Sequence, residues 1–408
     1  MKKTFLLIAI CCFSFINNGH TQILKKIKET VKGKVEDKTT QKAGDATDKV
    51  LDGVDPTNNN NSSNSNNSNG NNTPNTVTPG AATDTTVSFK TYQNYDFVPG
   101  DTILFADDFT SDMDGEFPSH WNLDNGQAVV NKAGPVSAFF LTDGNYCRVN
   151  PLMKTKTYLT DPFTIEFDYF PTDPAYPVIL FLNYMSSDNT VLEGSVKFST
   201  SGEVSESGFP KELLAQYPGY DEKTYRNHWH HCAIIYKNNQ LKCYVDQYRV
   251  LVVPSLGAIP TSFGFGGLAG QDAPIIFSNV RAASGGNMNM VGKKFTEAKI
   301  VTHGINFDVD KSTIKPESMG TLNMIVNVLK DNPELKFEID GHTDNSGTPE
   351  HNLALSQQRA DAVKSQLVTL GVDAARLSTK GFGDTAPISD NSTQEGKANN
   401  RRVEFVRK

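Results

Sequence analysis

The order of hydrophobic and polar positions divides the chain into segments of different character. Between residues 88 and 285, short runs of β-branched and aromatic residues are separated by turn-rich stretches, and no helical period appears. The runs are 163–169, 178–182, 233–236, 241–245 and 275–280. This pattern is typical of an all-β domain built from two packed sheets. We therefore predict a jelly-roll-like β-sandwich over residues 88–285.

Residues 294–408 show a different pattern, in which strand and helix signals alternate. Apolar and charged residues alternate over 335–340, as in a half-buried strand. Apolar residues recur every three or four positions over 319–329, and Asn332-Pro333 ends that helical stripe. A final strand is predicted at 403–406. The segment is therefore predicted to be a βαβαβ-type α/β sandwich, with helices on one sheet face.

A second helix is predicted in this segment from its capping residues. Thr348 is a suitable N-cap, Pro349 suits the first helical position, and Gly371 suits the C-terminal end. The predicted buried face consists of Leu353, Ala360, Val363, Leu367 and Leu370.

The first 87 residues read as an export signal followed by a tether. Lys2 and Lys3 precede an apolar run at 5–16, which is shorter than the roughly 20 residues of a membrane-spanning helix. This layout predicts a signal peptide at 1–21, with an uncleaved anchor or lipidation at Cys11 or Cys12 as alternatives. Residues 22–54 are a charged amphipathic helical segment, either solvated or lying on a membrane surface. Residues 55–87 form an Asn/Ser/Thr-rich linker, and residues 286–293 a second, shorter linker.

Charge and cysteine content narrow the class of partner. The net charge is −7 and no basic block is present, so nucleic acid is not an expected partner. No later segment is long and apolar enough to span a bilayer. Three cysteines remain after cleavage, and Cys232 and Cys243 flank a predicted hairpin as diagonal neighbours. This loose geometry leaves open whether the two cysteines form a disulfide.

The C-terminal segment contains a charged cluster with the chemistry of a binding site. Asp344 follows a predicted strand, whereas Asn352, Leu355 and Arg359 share one face of the next helix. A carboxylate and a guanidinium held apart suit a zwitterion, because Asp344 can receive an ammonium and Arg359 can grip a carboxylate. Spacing alone is equally compatible with an ion pair between Asp344 and Arg359.

Several motifs in this segment, taken in order, resemble those of the OmpA-like peptidoglycan-binding domain. They are residues 305–308, 341–345, 352–356 with 359–360, 381–383 and 400–405. The resemblance implies that Asp344 and Arg359 hold diaminopimelate of the peptidoglycan stem peptide. It also implies that Phe307 and Asp308 border the pocket, and that Thr343, Asn352 and Leu355 line its wall. Asn400 and Arg401 are assigned a structural role at the last strand.

This resemblance implies a non-enzymatic protein without cofactor or metal. Its location would be the periplasm, in association with the cell wall and outer membrane.

The middle segment resembles concanavalin A-like or laminin-G-like sandwiches, a fold that does not define a function. Glu166 and Asp168 lie two apart on a predicted strand, so they share a face. The additional glutamate that a glycan hydrolase of this type uses is missing, which favours strand-edge polar residues over catalysis. His228 and His230 could share a metal, but no third ligand follows. Binding of a glycan or an envelope protein, or glycan hydrolysis, remain alternative functions of this segment.

Overall fold

The computed structural model describes residues 91–92, 95–172, 176–186, 188–285 and 294–408. The predicted signal peptide, amphipathic segment and both linkers therefore lie outside the described residues. Among the described residues, no helix is both long and apolar enough to cross a membrane.

The first domain is a large antiparallel sheet of thirteen strands. Its strands are β1 (Thr102–Asp107), β2 (Trp121–Ala133), β3 (Val136–Pro151), β4 (Phe163–Tyr169), β5 (Val178–Met185), β6 (Val191–Phe198), β7 (Glu203–Ser207), β8 (Leu214–Gln216), β9 (His230–Lys237), β10 (Gln240–Val245), β11 (Tyr248–Val253), β12 (Pro260–Ala269) and β13 (Ile275–Ser284). One short helix, α1 (Glu222–Tyr225), precedes β9. All five predicted apolar runs fall within strands.

This sheet folds over onto itself around one apolar core. The strand order is β11-β10-β9-β4-β13-β3-β12-β5-β6-β7-β8, with β1 on β13 and β2 on β3. Phe167 on β4 packs against Phe198 on β6, five positions away in that order, with ring centroids 5.3 Å apart. Hydrogen bonds thus connect all thirteen strands, where two separate sheets were predicted. A jelly-roll-like or concanavalin A-like connectivity stays a prediction.

The three cysteines of this domain are buried thiols. In the β9–β10 hairpin, Cys243 lies opposite Ile234 and Cys232 opposite Val245, which confirms the predicted register. Cys147, Cys232 and Cys243 are all free. A disulfide across the hairpin is therefore absent.

The second domain is a four-stranded sheet covered by helices. Its strands are β14 (Lys299–Thr302), β15 (Phe337–His342), β16 (Leu377–Gly383) and β17 (Val403–Arg407), in the order β14-β17-β15-β16. Its helices are α2 (Met319–Asp331), α3 (Pro349–Thr369) and α4 (Gln394–Asn400), with 3-10 turns at Pro316–Ser318 and Ala374–Arg376. β15 and β16 are parallel, and the other pairs are antiparallel. The predicted alternation of strands and helices is confirmed.

Helix α3 begins and ends where its capping residues predict. The Thr348 hydroxyl accepts from the His351 N–H, and Gly371 has a φ of 95°. The prediction that Leu353 is buried is wrong, because its side chain is 50% exposed. The inward positions beside it are the polar residues Asn352 and Ser356. The Asn352 side chain donates to the Asp344 carbonyl in the loop before the helix, and the Ser356 hydroxyl accepts from the Gly383 N–H at the end of β16.

The two domains contact each other directly. The Asn399 amide on α4 exchanges two hydrogen bonds of 3.0 Å with the backbone of Ile103 on β1. Phe97, in the segment before β1, lies against α2 so closely that a Cβ on Gly320 would be 1.8 Å from its carbonyl oxygen. Glycine is therefore required at this crossing.

Candidate functional site

Asp344 lies in the loop that follows β15, and two donors hold its carboxylate. The Ser346 N–H donates to Oδ1 at 2.9 Å, and Arg401 donates to Oδ2 at 2.6 Å. Burial opposes ionisation, but the Arg401 and Ser346 hydrogen bonds outweigh it and hold the pKa of Asp344 below its usual range. Asp344 is therefore an anion near neutral pH.

The polar residues behind this loop fix its shape. The Asn352 amide donates to the carbonyls of Asp344 and Gly347, at 3.2 and 3.3 Å. The Thr343 N–H donates to Gly383 on β16 at 2.9 Å, whereas its hydroxyl is buried without a hydrogen-bond partner. Leu355 is buried on the same helix face as Asn352. These predicted wall residues thus lie beneath the loop and position Asp344.

Arg359 on α3 is half-buried and held from two sides. Its Nε donates to the Lys311 carbonyl at 2.9 Å, and its guanidinium carbon lies 4.9 Å from the centre of the Phe307 ring. No carboxylate pairs with Arg359 among the described residues. Burial and the nearby Arg401 lower its pKa, but an arginine remains a cation under these conditions. Phe307 therefore orients the guanidinium and leaves it free to bind an anion.

An ion pair between Asp344 and Arg359, the alternative that spacing allowed, is not formed. The partner of Asp344 is Arg401, which the sequence assigned a structural role and which follows α4. The motif at 400–405 was the signal that could have identified it. Asn400, by contrast, is fully buried and holds the backbone of Ile388 and Ser389, as a structural residue does.

A cavity of about 430 Å³ opens between the two domains beside these arginines. Phe307, Asp308, Arg359 and Arg401 line one side of the cavity. Asp308 carries a half-exposed carboxylate, 3.8 Å from the Lys311 ammonium. Asp344 is not among the described residues that line this cavity, and it reaches the cavity edge only through Arg401.

The first domain contributes a buried ionic network to the other side. Arg281 on β13 donates two hydrogen bonds of 2.9 Å to Glu166 on β4. The His231 ring lies 2.9 Å from Asp168 and 3.5 Å from Glu166. Burial favours the neutral imidazole, but the hydrogen bond to Asp168 and the charges of Asp168 and Glu166 outweigh it and raise the pKa of His231 to about 10. The network therefore pairs two anions with two cations.

This pairing disfavours an acid–base role for Glu166 and Asp168. Burial raises the pKa of both carboxyls, but Arg281 and His231 outweigh it at Glu166, and His231 with Lys315 and Asn279 outweighs it at Asp168. Both pKa values therefore lie below their usual range. A glycosidase needs one carboxyl that stays protonated near neutral pH. The prediction of strand-edge residues is also wrong, because β4 lies between β9 and β13 and Glu166 is buried.

The ring of His230 has no nitrogen left for a metal shared with His228. Both ring nitrogens of His230 are in hydrogen-bond contact, with Asp246 at 2.7 Å and the Tyr225 carbonyl at 2.8 Å. A separate buried group, Asp340, His342 and Glu404, has ligand atoms within 4.8 Å of one another. Its Glu404 already accepts from Arg402 and Lys299, at 2.7 Å each. These two cations make a metal ion unfavourable there.

Comparison with known proteins identifies the second domain. Residues 306–401 match the OmpA family. The C-terminal domain is OmpA-like. The chain is 48% identical over 104 residues to the probable lipoprotein YiaD of Escherichia coli, an alignment that covers 26% of this chain and 48% of that protein. It is 42% identical over 107 residues to the peptidoglycan-binding protein ArfA of Mycobacterium bovis, covering 26% of this chain and 33% of that protein.

Among solved structures, the peptidoglycan-associated lipoprotein of Burkholderia pseudomallei is 30% identical. The similarity covers 28% of this chain and 94% of that structure, with a TM-score of 0.25. The chain spans about half or less of the length of the curated relatives named above.

Proposed function

We propose that the OmpA-like domain binds peptidoglycan without a covalent bond, by holding a diaminopimelate residue of the stem peptide between Asp344 and Arg359. The observation that carries the proposal is Arg359. It presents a cation to an open cavity, is oriented by Phe307, and is engaged by no described carboxylate. A bidentate contact with the ligand carboxylate would satisfy it.

Asp344 supplies the complementary charge for the ligand ammonium. Its carboxylate is kept ionised by Arg401, whose side chain is 43% exposed. A side chain that is this exposed can move at small cost, so an ammonium can share or replace the Arg401 contact. In this proposal Arg401 keeps the empty site charged and then turns toward the carboxylate of the ligand.

The biological role we propose is attachment of an exported protein to the cell wall, in the periplasm and close to the outer membrane. The surface of the β-domain away from the cavity stays available to an envelope partner. The names of two relatives, a probable lipoprotein and a peptidoglycan-binding protein, support this envelope setting. The proposed role is binding, without turnover of the wall.

The test is binding of the full chain to purified peptidoglycan sacculi. Arg359→Ala and Asp344→Ala should each weaken binding to diaminopimelate-containing sacculi by about a hundredfold or more, because each leaves a charged ligand group unpaired. Lys364→Ala, which removes another cation from α3, is the matched control and should bind normally.

Sacculi with lysine in place of diaminopimelate sharpen the test, since lysine keeps the ammonium and lacks the second carboxylate. The wild-type chain should bind them weakly, and Arg359→Ala should cost little further. Undiminished binding of diaminopimelate-type sacculi by both variants would show that the assigned pocket is wrong.

A further inference from the structure

The cavity beside Arg359 belongs to both domains. Phe307, Arg359 and Arg401 line it from the OmpA-like domain, whereas Asp108, Asp168 and Asn279 line it from the β-domain. Its volume of about 430 Å³ is within the roughly 300–1,000 Å³ of small-molecule sites. Asp344 does not line the cavity, whereas β-domain residues do, so the cavity extends from the arginines toward the β-domain. A ligand held at Arg359 would therefore have the β-domain beside it.

Asn279 is placed on this wall by an irregularity in β13. Pairing with β4 shifts register between Ser278 and Arg281, which leaves a bulge there. Asn279 has a φ of 50°, a left-handed conformation that is uncommon outside glycine, and its side chain is exposed. Bulges of this kind redirect a side chain and occur near functional sites. Here the bulge brings an exposed amide to the cavity.

The layer behind Asn279 makes this wall rigid. The Asn279 amide donates to Asp168 at 2.5 Å, and Asp168 is in turn bound to His231. Arg281 pairs with Glu166 and also donates to the His303 carbonyl of the OmpA-like domain at 3.1 Å. The buried network thus holds the wall at a set distance from Arg359, as a preorganised binding site requires.

Asp108 adds a charge to the same wall. It follows β1, and its Oδ1 accepts from the N–H and hydroxyl of Thr110, at 3.0 and 2.6 Å. No described cation pairs with its carboxylate. The wall therefore offers an amide and a carboxylate, which can bond the C=O and N–H groups of a peptide.

The lining favours a peptide over a sugar. Phe307 is the sole Phe, Tyr or Trp among the described lining residues, and Arg359 covers its face. A sugar ring would thus find little aromatic surface to stack on. We propose that Asn279 and Asp108 form a second wall of the peptidoglycan site and bind the stem-peptide backbone next to the residue held by Arg359. This inference rests on the function proposed above.

The test compares two soluble probes on the full chain: free diaminopimelic acid and a diaminopimelate-containing stem tetrapeptide. The variant is the double substitution Asp108→Asn with Asn279→Gly. Asparagine keeps the contact to the Thr110 N–H, and glycine accepts the left-handed backbone. The matched control is Asp188→Asn with Asn189→Gly, because Asp188 makes the same turn to Thr190 and Asn189 has a φ of 64°.

The double variant should weaken tetrapeptide binding by about tenfold, which is the loss of one or two hydrogen bonds. Its affinity for free diaminopimelic acid should change by less than about twofold, and the control should match the wild type. Unchanged tetrapeptide affinity, or an equal loss for both probes, would overturn the second wall while leaving Arg359 in place. Failure of the function proposed above would appear separately, because Arg359→Ala would then bind diaminopimelate-type sacculi as well as the wild type. If Asn279→Gly lowers the unfolding temperature, Asp108→Asn alone repeats the comparison.

Discussion

The two domains bring charged residues to the same cavity, but the buried ionic network of the β-domain is paired internally, whereas Arg359 of the OmpA-like domain is not. In the β-domain, Glu166 and Asp168 are paired with Arg281 and His231. In the OmpA-like domain, Arg359 has a backbone carbonyl and an aromatic ring but no described carboxylate. A charge that is already neutralised gains little from a ligand, whereas an unpaired one gains much. The first arrangement supports the interface, and the second is available for binding.

Removing Glu166 should produce the largest loss of stability. Glu166→Ala leaves the Arg281 guanidinium partly buried without its carboxylate, which costs about 3–5 kcal/mol when a buried pair is broken. Urea unfolding of the full chain measures this. The control is Glu203→Ala, because the Glu203–Lys197 pair is exposed and should contribute about 1 kcal/mol or less. Equal losses in the two variants would remove the distinction between a closed network and a surface pair.

The second prediction concerns pH and isolates His231. Its pKa is about 10 in the folded protein, against 6.5 for an ordinary histidine. The stabilisation is therefore complete below pH 6.5 and is lost as the pH rises through about 10. Unfolding free energies of the wild type and His231→Gln should converge over this range, by up to about 1.4 kcal/mol per pH unit. Parallel pH profiles would show that His231 is not charged in the network.

Gly320→Ala tests how closely the two domains depend on each other. Alanine normally favours a helix over glycine by about 1 kcal/mol. Here its Cβ would be 1.8 Å from the Phe97 carbonyl oxygen, so we expect a net loss of about 1–3 kcal/mol instead. Thermal unfolding measures the change, with Gln358→Ala at an exposed helical position as the control. A stabilised Gly320→Ala protein would mean that the Phe97 segment can move away freely.

Leu353, Asn352 and Arg401 show where sequence reasoning reached its limit. Its hydrophobicity predicted that Leu353 lies on the buried face of α3. In the structure Asn352 faces inward instead, because its amide donates to two loop carbonyls there. The spacing of Asp344 and Arg359 identified the charged groups, yet it could not exclude a direct pair. Arg401 is 57 positions from Asp344, so no local pattern links them.

The sequence by itself determined the β-strand runs, the caps and order of the C-terminal elements, and the motifs that place Asp344 and Arg359 in an OmpA-like domain. These features depend on neighbours a few residues apart, where periodicity and capping act. Only the tertiary structure decided which charges pair, that Arg281 meets Glu166 across 115 positions, and that both domains line one cavity. Ion pairing depends on distance and burial, and folding sets both by bringing distant parts of the chain together.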